Sequence, residues 1–217
     1  MLFYQVNRLT GPTSDNNITK GTVMNKYILI TIAAAVLAGF GAYAQTVGTY
    51  SDSRDGKAYR TVKAGGKTWM AENLNFAAEG SKCYENKDAN CAKYGRLYSW
   101  ETARKACPAG FHLPSDDEWA ALENSVGRRT MAGAKLKSSS GWANNGNGTD
   151  EYGFSALPGG YVSGGEFSHA GIYGYWWSAT EYTANYAWIR YMYYNYDDVY
   201  KRNSGKAGMY SVRCVQN

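Results

Sequence analysis

Residues 107–119, CPAGFHLPSDDEW, end one helix and begin another. Ser115 and Glu118 make the S-x-x-E pattern of a capping box, and Asp116, Asp117 and Glu118 place acids at the positive end of the helix dipole. Trp119, Leu122 and Val126 then follow as an inward stripe, and Gly127 stops the helix. Upstream, residues 98–106, YSWETARKA, put Trp100, Ala103 and Ala106 on one helical face. That helix stops before Cys107-Pro108, because a proline ring disfavours helical backbone in the residue preceding it.

Outward from these two helices the chain changes period. Ala58 to Lys63 alternates, Gly65-Gly66 turns it, and Lys67 to Met70 returns it, which predicts a β-hairpin. Residues 138–152, SSSGWANNGNGTDEY, predict a long loop around Trp142. Beyond it lie β-prone runs with almost no helical signal: Phe154 to Pro158 leading into Gly159 to Val162, then Tyr173 to Thr180, Ala187 to Tyr194 and Tyr210 to Val215. Helices first and strands later predict an α+β domain. There is no solenoid repeat, and Gly159-Gly160 and Gly164-Gly165 fit neither nucleotide-binding fingerprint.

The first segment predicts export. Tyr27 to Phe40, YILITIAAAVLAGF, is apolar and uncharged, follows Lys20 and Lys26, and precedes the small-x-small sequence Ala42-Tyr43-Ala44. The run is shorter than the ~20 residues that cross a bilayer, so cleavage after Ala44 is expected and no transmembrane segment in the mature chain. Residues 1–23 are polar and unpatterned, which makes Met24 the expected start. Gln45 follows the cut with no cysteine after it, so lipid anchoring is not indicated. Residues 45–56 are then expected as a linker and 57–217 as one domain, secreted or held on the outer cell surface. The formal charge is +5, of which the export segment (Arg8, Lys20, Lys26, Asp15) carries +2; the mild remainder argues neither for nor against an anionic partner, and no polybasic run supports a nucleic-acid partner.

Cys83, Cys91, Cys107 and Cys214 all lie in the exported part, where disulfides persist. Four cysteines allow three pairings. Cys83 with Cys91, flanking the polar loop YENKDAN, and Cys107 with Cys214, tying the middle of the domain to its last strand, is the favoured one. The competing uses are a zinc site or a catalytic thiol. Neither fits well, because the spacings are not C-x-x-C and His112 and His169 complete no metal motif.

Five motifs in order resemble one family: TWMAENLN at 68–75, CPAGFHLPS at 107–115, FSALPGG at 154–160, YWWSATE at 175–181 and SVRCV at 211–215. The chain from about Asp52 to Asn217 looks like the Fibrobacter succinogenes major paralogous domain, found in secreted and surface proteins of Fibrobacter and gut Bacteroidetes. The resemblance implies a C-type-lectin-like fold, related to that of formylglycine-generating enzymes and of variable receptor-like proteins diversified by retroelements. Two helices would flank a twisted antiparallel sheet whose ends meet through a disulfide. The family carries no settled biochemical activity.

Function is sought in the aromatic excess, since 20 of the residues are tyrosine. The run from Trp188 to Tyr200 cannot bury all its rings, because successive strand residues face opposite ways. Trp188, Tyr191, Tyr193, Tyr194, Asn195, Tyr196, Asp197, Asp198 and Tyr200 are the expected ligand-binding residues: tyrosine gives wide contact at low entropy cost, and Asn and Asp give adaptable hydrogen bonds. The expected ligand is a glycan or a surface protein. The bland alternative is a packed sheet with solvated edge tyrosines. Of Trp176 and Trp177, one is expected in the core and the other in a cleft; Trp69, Trp100 and Trp119 are expected in the core.

No cofactor is expected. Calcium is the alternative, at Asn195, Asp197 and Asp198 or at Asn144, Asn147, Asp150 and Glu151, although neither set matches an EF-hand. An enzyme is not expected: no G-x-S-x-G occurs, and His112 is given a structural hydrogen-bonding role. The alternatives are a copper-dependent oxidase relative using Cys214, a glycan hydrolase using two of Glu72, Glu101, Glu118 and Glu181, and a structural envelope component. The oligomeric state is not legible.

Overall fold

The structure, a computed structural model, describes residues 47–217; the expected export signal, its start at Met24 and its cleavage site lie outside the described residues. Five strands, β1 (Val47–Ser51), β2 (Ala58–Ala64), β3 (Lys67–Met70), β4 (Phe111–His112) and β10 (Val215–Gln216), form an antiparallel sheet in the order β1-β2-β3-β10-β4. β5 (Tyr161–Ser163) and β6 (Glu166–Ser168) form a small hairpin, and β7 (Tyr173–Thr183), β8 (Tyr186–Tyr193) and β9 (Tyr200–Gly205) a three-stranded antiparallel sheet. Four helices are found among the described residues: α1 (Asp88–Tyr94), α2 (Trp100–Ala106), α3 (Asp116–Ser125) and α4 (Arg129–Leu136). The α+β class is therefore as the sequence predicts.

The predicted hairpin is present, with Ala64 opposite Lys67 and both Gly65 and Gly66 at positive φ, as a type I′ turn requires. The capping box also forms. Ser115 Oγ accepts from the Glu118 backbone N–H at 3.2 Å, and the Glu118 carboxylate accepts from the Ser115 N–H at 2.9 Å. α2 starts on Ser99, whose side chain accepts from the Thr102 N–H.

Four expectations are corrected. Val47–Ser51, assigned to a linker, is strand β1: it pairs residue for residue with β2, and Tyr50 packs on Phe111 at 4.7 Å. α1 begins inside the YENKDAN segment expected as a loop, and α4 follows Gly127 where no helix was expected. Both are too short to be stable on propensity, so packing of Tyr94, Ala132 and Leu136 supports them and local sequence does not announce them. Residues 210–214, expected as strand, make no continuous ladder. They bond alternately to two sides: Trp177 N–H to Ser211 O and Ser211 N–H to Tyr175 O on β7, then Leu74 N–H to Val212 O and Met70 N–H to Cys214 O on the other. One strip of chain thus stitches the two sheets together.

The core is built from indoles. Trp69, Trp100, Trp119, Trp176 and Trp177 are fully buried, so neither member of the Trp176-Trp177 pair reaches a cleft. As neighbours on a strand they point to opposite faces and enter different clusters, Trp176 with Trp69, Trp119 and Met192, Trp177 with Trp100, Ile189 and Val212. Indole N–H groups of Trp100 and Trp119 donate to the carbonyls of Ser178 and Trp177, holding β7 between α2 and α3.

At the stitch lies a buried polar hub. Asn73 Oδ1 accepts from Trp176 Nε1 at 2.8 Å and from Arg213 Nε and Nη2 at 3.2 and 2.8 Å, while its Nδ2 donates to Tyr94 O at 2.8 Å. Arg213 is fully buried, which lowers its pKa, and among the described residues no carboxylate pairs with it; Met70 O, Phe154 O and Ser155 O accept its remaining N–H groups.

Both disulfides are those the sequence favours, Cys83–Cys91 across 8 positions and Cys107–Cys214 across 107, and no described cysteine is free.

Asn73→Ala is expected to destabilise by about 3 kcal/mol, since it orphans an indole N–H and part of a buried guanidinium; a loss under about 1 kcal/mol in urea unfolding would contradict the hub. Replacing Cys107 and Cys214 together by alanine should cost ~4.7 kcal/mol and replacing Cys83 and Cys91 ~2.5 kcal/mol, because loop length sets the entropy removed from the unfolded chain. Equal losses in the two double variants would refute that account.

Candidate functional site

The register of the three-stranded sheet decides which side chains can act together. Tyr173 lies opposite Tyr193, Tyr175 opposite Tyr191, and Tyr191 opposite Tyr200. Alternate strand residues share a face, so these five rings form a ladder on one side of the sheet. Ring centroids are 4.5 Å apart for Tyr173–Tyr193, 5.4 Å for Tyr175–Tyr191 and 4.9 Å for Tyr191–Tyr200. Tyr161 from β5 stands edge-on to Tyr175 and stacks on His169, while Tyr196 in the turn between β8 and β9 touches Tyr193 and Tyr200. Most of these rings are half-buried, Tyr196 is 51 % exposed, and Tyr210 closes the inner end.

The opposite side of the same sheet is a core face. Arg190 donates to Glu123 at 2.5 Å and to Asp116 at 2.6 Å, both on α3, and Met192 packs with Trp176. Burial pushes the Glu123 carboxyl up despite Arg190; at Asp116 burial acts the same way, but Lys201 and Arg190 together bring its pKa below the ordinary value. This ion-paired layer fixes the sheet on α3 and leaves the tyrosine side outward.

The expected site residues divide accordingly. Tyr191, Tyr193, Tyr196 and Tyr200 belong to the aromatic face. Trp188 does not: it lies on the helix side, 4.7 Å from Tyr182 with Lys201 Nζ 4.1 Å over its ring. The segment from Trp188 to Tyr200 is not one strand but β8, a turn and the start of β9. Tyr194 packs partly on the helix-side core, Asn195 and Asp197 are exposed in the turn, and Asp198 accepts from Tyr200 Oη at 2.8 Å.

That turn is anchored from below by a buried lysine. Lys137 Nζ donates to the carbonyls of Tyr194 and Tyr196 at 3.1 Å and of Tyr193 at 3.5 Å, and burial lowers its pKa. Ala134 N–H donates to Asp197 O, and a Cβ at Gly133 would sit 2.7 Å from that oxygen, so α4 approaches the turn through a glycine. Three carbonyls that could help to hold a cation at Asn195, Asp197 and Asp198 thus already face an ammonium group. In the other acidic loop, Asp150 accepts from the Ser155 N–H and hydroxyl at 2.7 and 2.6 Å, and Asn147 from the Trp142 N–H.

The carboxylates considered for hydrolysis are held apart in separate ion pairs: Glu72 with Arg60, Glu101 with Arg104, Glu118 with Lys67 and His112, and Glu181 with Lys206. His112 joins Glu118 to Asn217, a structural bridge between α3 and the C-terminus. Burial pushes Glu118 up, but the Ser115 N–H and His112 bring it below its ordinary value. Cys214 is committed to Cys107.

The members that sequence reasoning missed are Tyr161, His169, Tyr173, Tyr175 and Tyr210. The i, i+2 spacing of Tyr173 and Tyr175, repeated in Tyr191 and Tyr193, was a usable signal. Nothing local marked Tyr161 or His169, which reach the face from another hairpin and its following turn.

A family model, described as the Fibrobacter succinogenes major domain, matches residues 62–216. No curated protein and no solved structure matches the chain with significance.

Two phenols of this face are held in the protonated form by their surroundings. Tyr175 is raised by burial, and Tyr200 is raised to about 12 because its protonated form donates to Asp198. That bond is intact below the ordinary tyrosine value of about 10 and is lost as pH rises through the raised value. Asp198→Asn should return Tyr200 towards about 10 in an NMR titration of its ring carbon; a midpoint unmoved by the substitution would disprove the assignment.

Proposed function

This chain belongs to the Fibrobacter succinogenes major domain family, and we propose that it is a secreted or cell-surface binding module that recognises a glycan on its tyrosine face. The observation that carries this is the ladder of Tyr173, Tyr175, Tyr191, Tyr193 and Tyr200, aligned by register and left half-exposed beside an exposed Tyr196. A sheet that needed these rings only for its core would bury them, as it does Trp176 and Met192 on the other side.

Pyranose rings present C–H faces that stack on aromatics, and hydroxyls that exchange hydrogen bonds with phenol O–H groups. Rings locked against one another lose little further entropy on contact. Asn195 and Asp197 at the rim supply adaptable polar contacts. Calcium has no part in this proposal, since Lys137 provides the positive charge under the turn. Nor has catalysis, since the candidate carboxylates are separately engaged.

We further propose that this α+β fold is of C-type-lectin-like arrangement. In this proposal the β1-β2-β3-β10-β4 sheet brings the ends of the domain together, Cys107–Cys214 closes it, and the β7-β8-β9 sheet carries the ligand face.

A glycan array and a pull-down on insoluble plant polysaccharide test the function. Tyr193→Ala and Tyr173→Ala should each weaken glycan binding about tenfold, equivalent to roughly 1.4 kcal/mol of ring contact. Trp188→Ala, on the opposite side of the sheet, should leave it unchanged. Binding to no glycan, capture of a surface protein alone, or self-association removed by the tyrosine variants would each reject the proposal.

A further inference from the structure

Where the aromatic face meets β9 and the β5–β6 hairpin there is a cleft of about 340 Å³, with Tyr161, Tyr175 and Tyr210 as its aromatic wall, Ile189 as its apolar contact, and Arg202 and Ser204 from β9. Tyr161 and Tyr175 meet edge-on at 5.2 Å, and Tyr210 Oη and Ser204 Oγ share a hydrogen bond of 2.7 Å. Among the described residues the lining contains no Asp or Glu.

Among the described residues Arg202 is the one charged group in that lining, and it differs from the cations around it. Lys201 pairs with Asp116, Lys206 with Glu181, and Arg190 with Asp116 and Glu123. Among the described residues no ion pair involves Arg202, and the acids flanking the sheet are engaged elsewhere, Asp198 by Tyr200 and Glu181 by Lys206. Arg202 lines a partly enclosed space walled by rings, where an ionic hydrogen bond is stronger than in open water.

We propose that this cleft takes the carboxylate of an acidic sugar, so that the recognised glycan contains uronic acid residues. This rests on the glycan reading of the tyrosine face and specifies it. A guanidinium fork matches a planar carboxylate through two parallel N–H···O bonds, while the adjoining rings stack the sugar that bears it. A lone cation without a lysine in the lining suits a single negative charge better than a dianionic phosphate. A neutral sugar would leave the fork with water alone.

The test compares oligogalacturonate, its methyl ester and a sulfated oligosaccharide of equal length, titrated calorimetrically against the native disulfide-bonded protein, Arg202→Gln, Arg202→Lys and Tyr193→Ala. Arg202 is exposed on an edge strand, so its variants are expected to fold. The acid should bind on the order of tenfold more tightly than its ester. Arg202→Gln should abolish that preference and leave ester affinity unchanged. Arg202→Lys should keep only part of it. Ester binding that Tyr193→Ala weakens, without any preference for the acid, would overturn this inference and leave the glycan face standing. So would a preference that survives Arg202→Gln, or tighter binding of the sulfated sugar. Binding of none of the three would overturn this inference, while the glycan array decides the glycan face separately.

Discussion

Asn73 is the joint on which the two sheets depend. Its amide reaches Trp176 on β7, Arg213 on the C-terminal strip and Tyr94 at the end of α1, three elements far apart in sequence. A polar group at the centre of a hydrophobic core is costly unless every bond is made, so the hub admits one relative placement of these elements. Arg213 enforces the same choice more strongly. With no carboxylate among the described residues to neutralise it, its guanidinium requires Asn73 and three carbonyls in position at once. Hydrophobic burial drives the collapse of the indoles, and this hub selects which collapsed arrangement persists.

The consequences run outward from there to the surface. Because Trp176 is held inward by its bond to Asn73, its strand neighbours Tyr175 and Trp177 face the other side. Trp177 is sealed by α2, but Tyr175 and Tyr173 extend past the helix and stay half-exposed. Pairing carries the same polarity to Tyr191 and Tyr193 on β8 and to Tyr200 on β9. Arg190 and Met192, one step out of phase, anchor β8 to α3 and to the core. A slip of one residue would bury the tyrosines and expose the ion pair, so the candidate ligand face and the core are set by one register. Lys137 then fixes the turn that carries Tyr196, using an ammonium under three carbonyls.

Much of this was legible where a short stretch of chain contains its own instruction. Ser115 and Glu118 cap a helix wherever they fall, Gly65-Gly66 turns a hairpin, and Pro108 stops α2. α1, α4 and β1 were not legible, because short elements draw their stability from neighbours distant in sequence. The site was half legible. Tyrosine excess marked part of the candidate face, and a single-strand reading then admitted Trp188, which belongs to the other side.

By itself the sequence determined the α+β class, the capped helix, the hairpin and the tyrosine-rich segment, because each follows from local sterics, side-chain hydrogen bonding or composition. It favoured the two disulfides from where the cysteines fall among the loops and elements. Only the tertiary structure decided that Tyr161, His169 and Tyr210 join the ladder, that both Trp176 and Trp177 are core, and that Arg202 lines a cleft with no acid among the described residues. Those outcomes depend on strand register and on the packing of elements remote along the chain, and no local pattern encodes where two distant segments will meet.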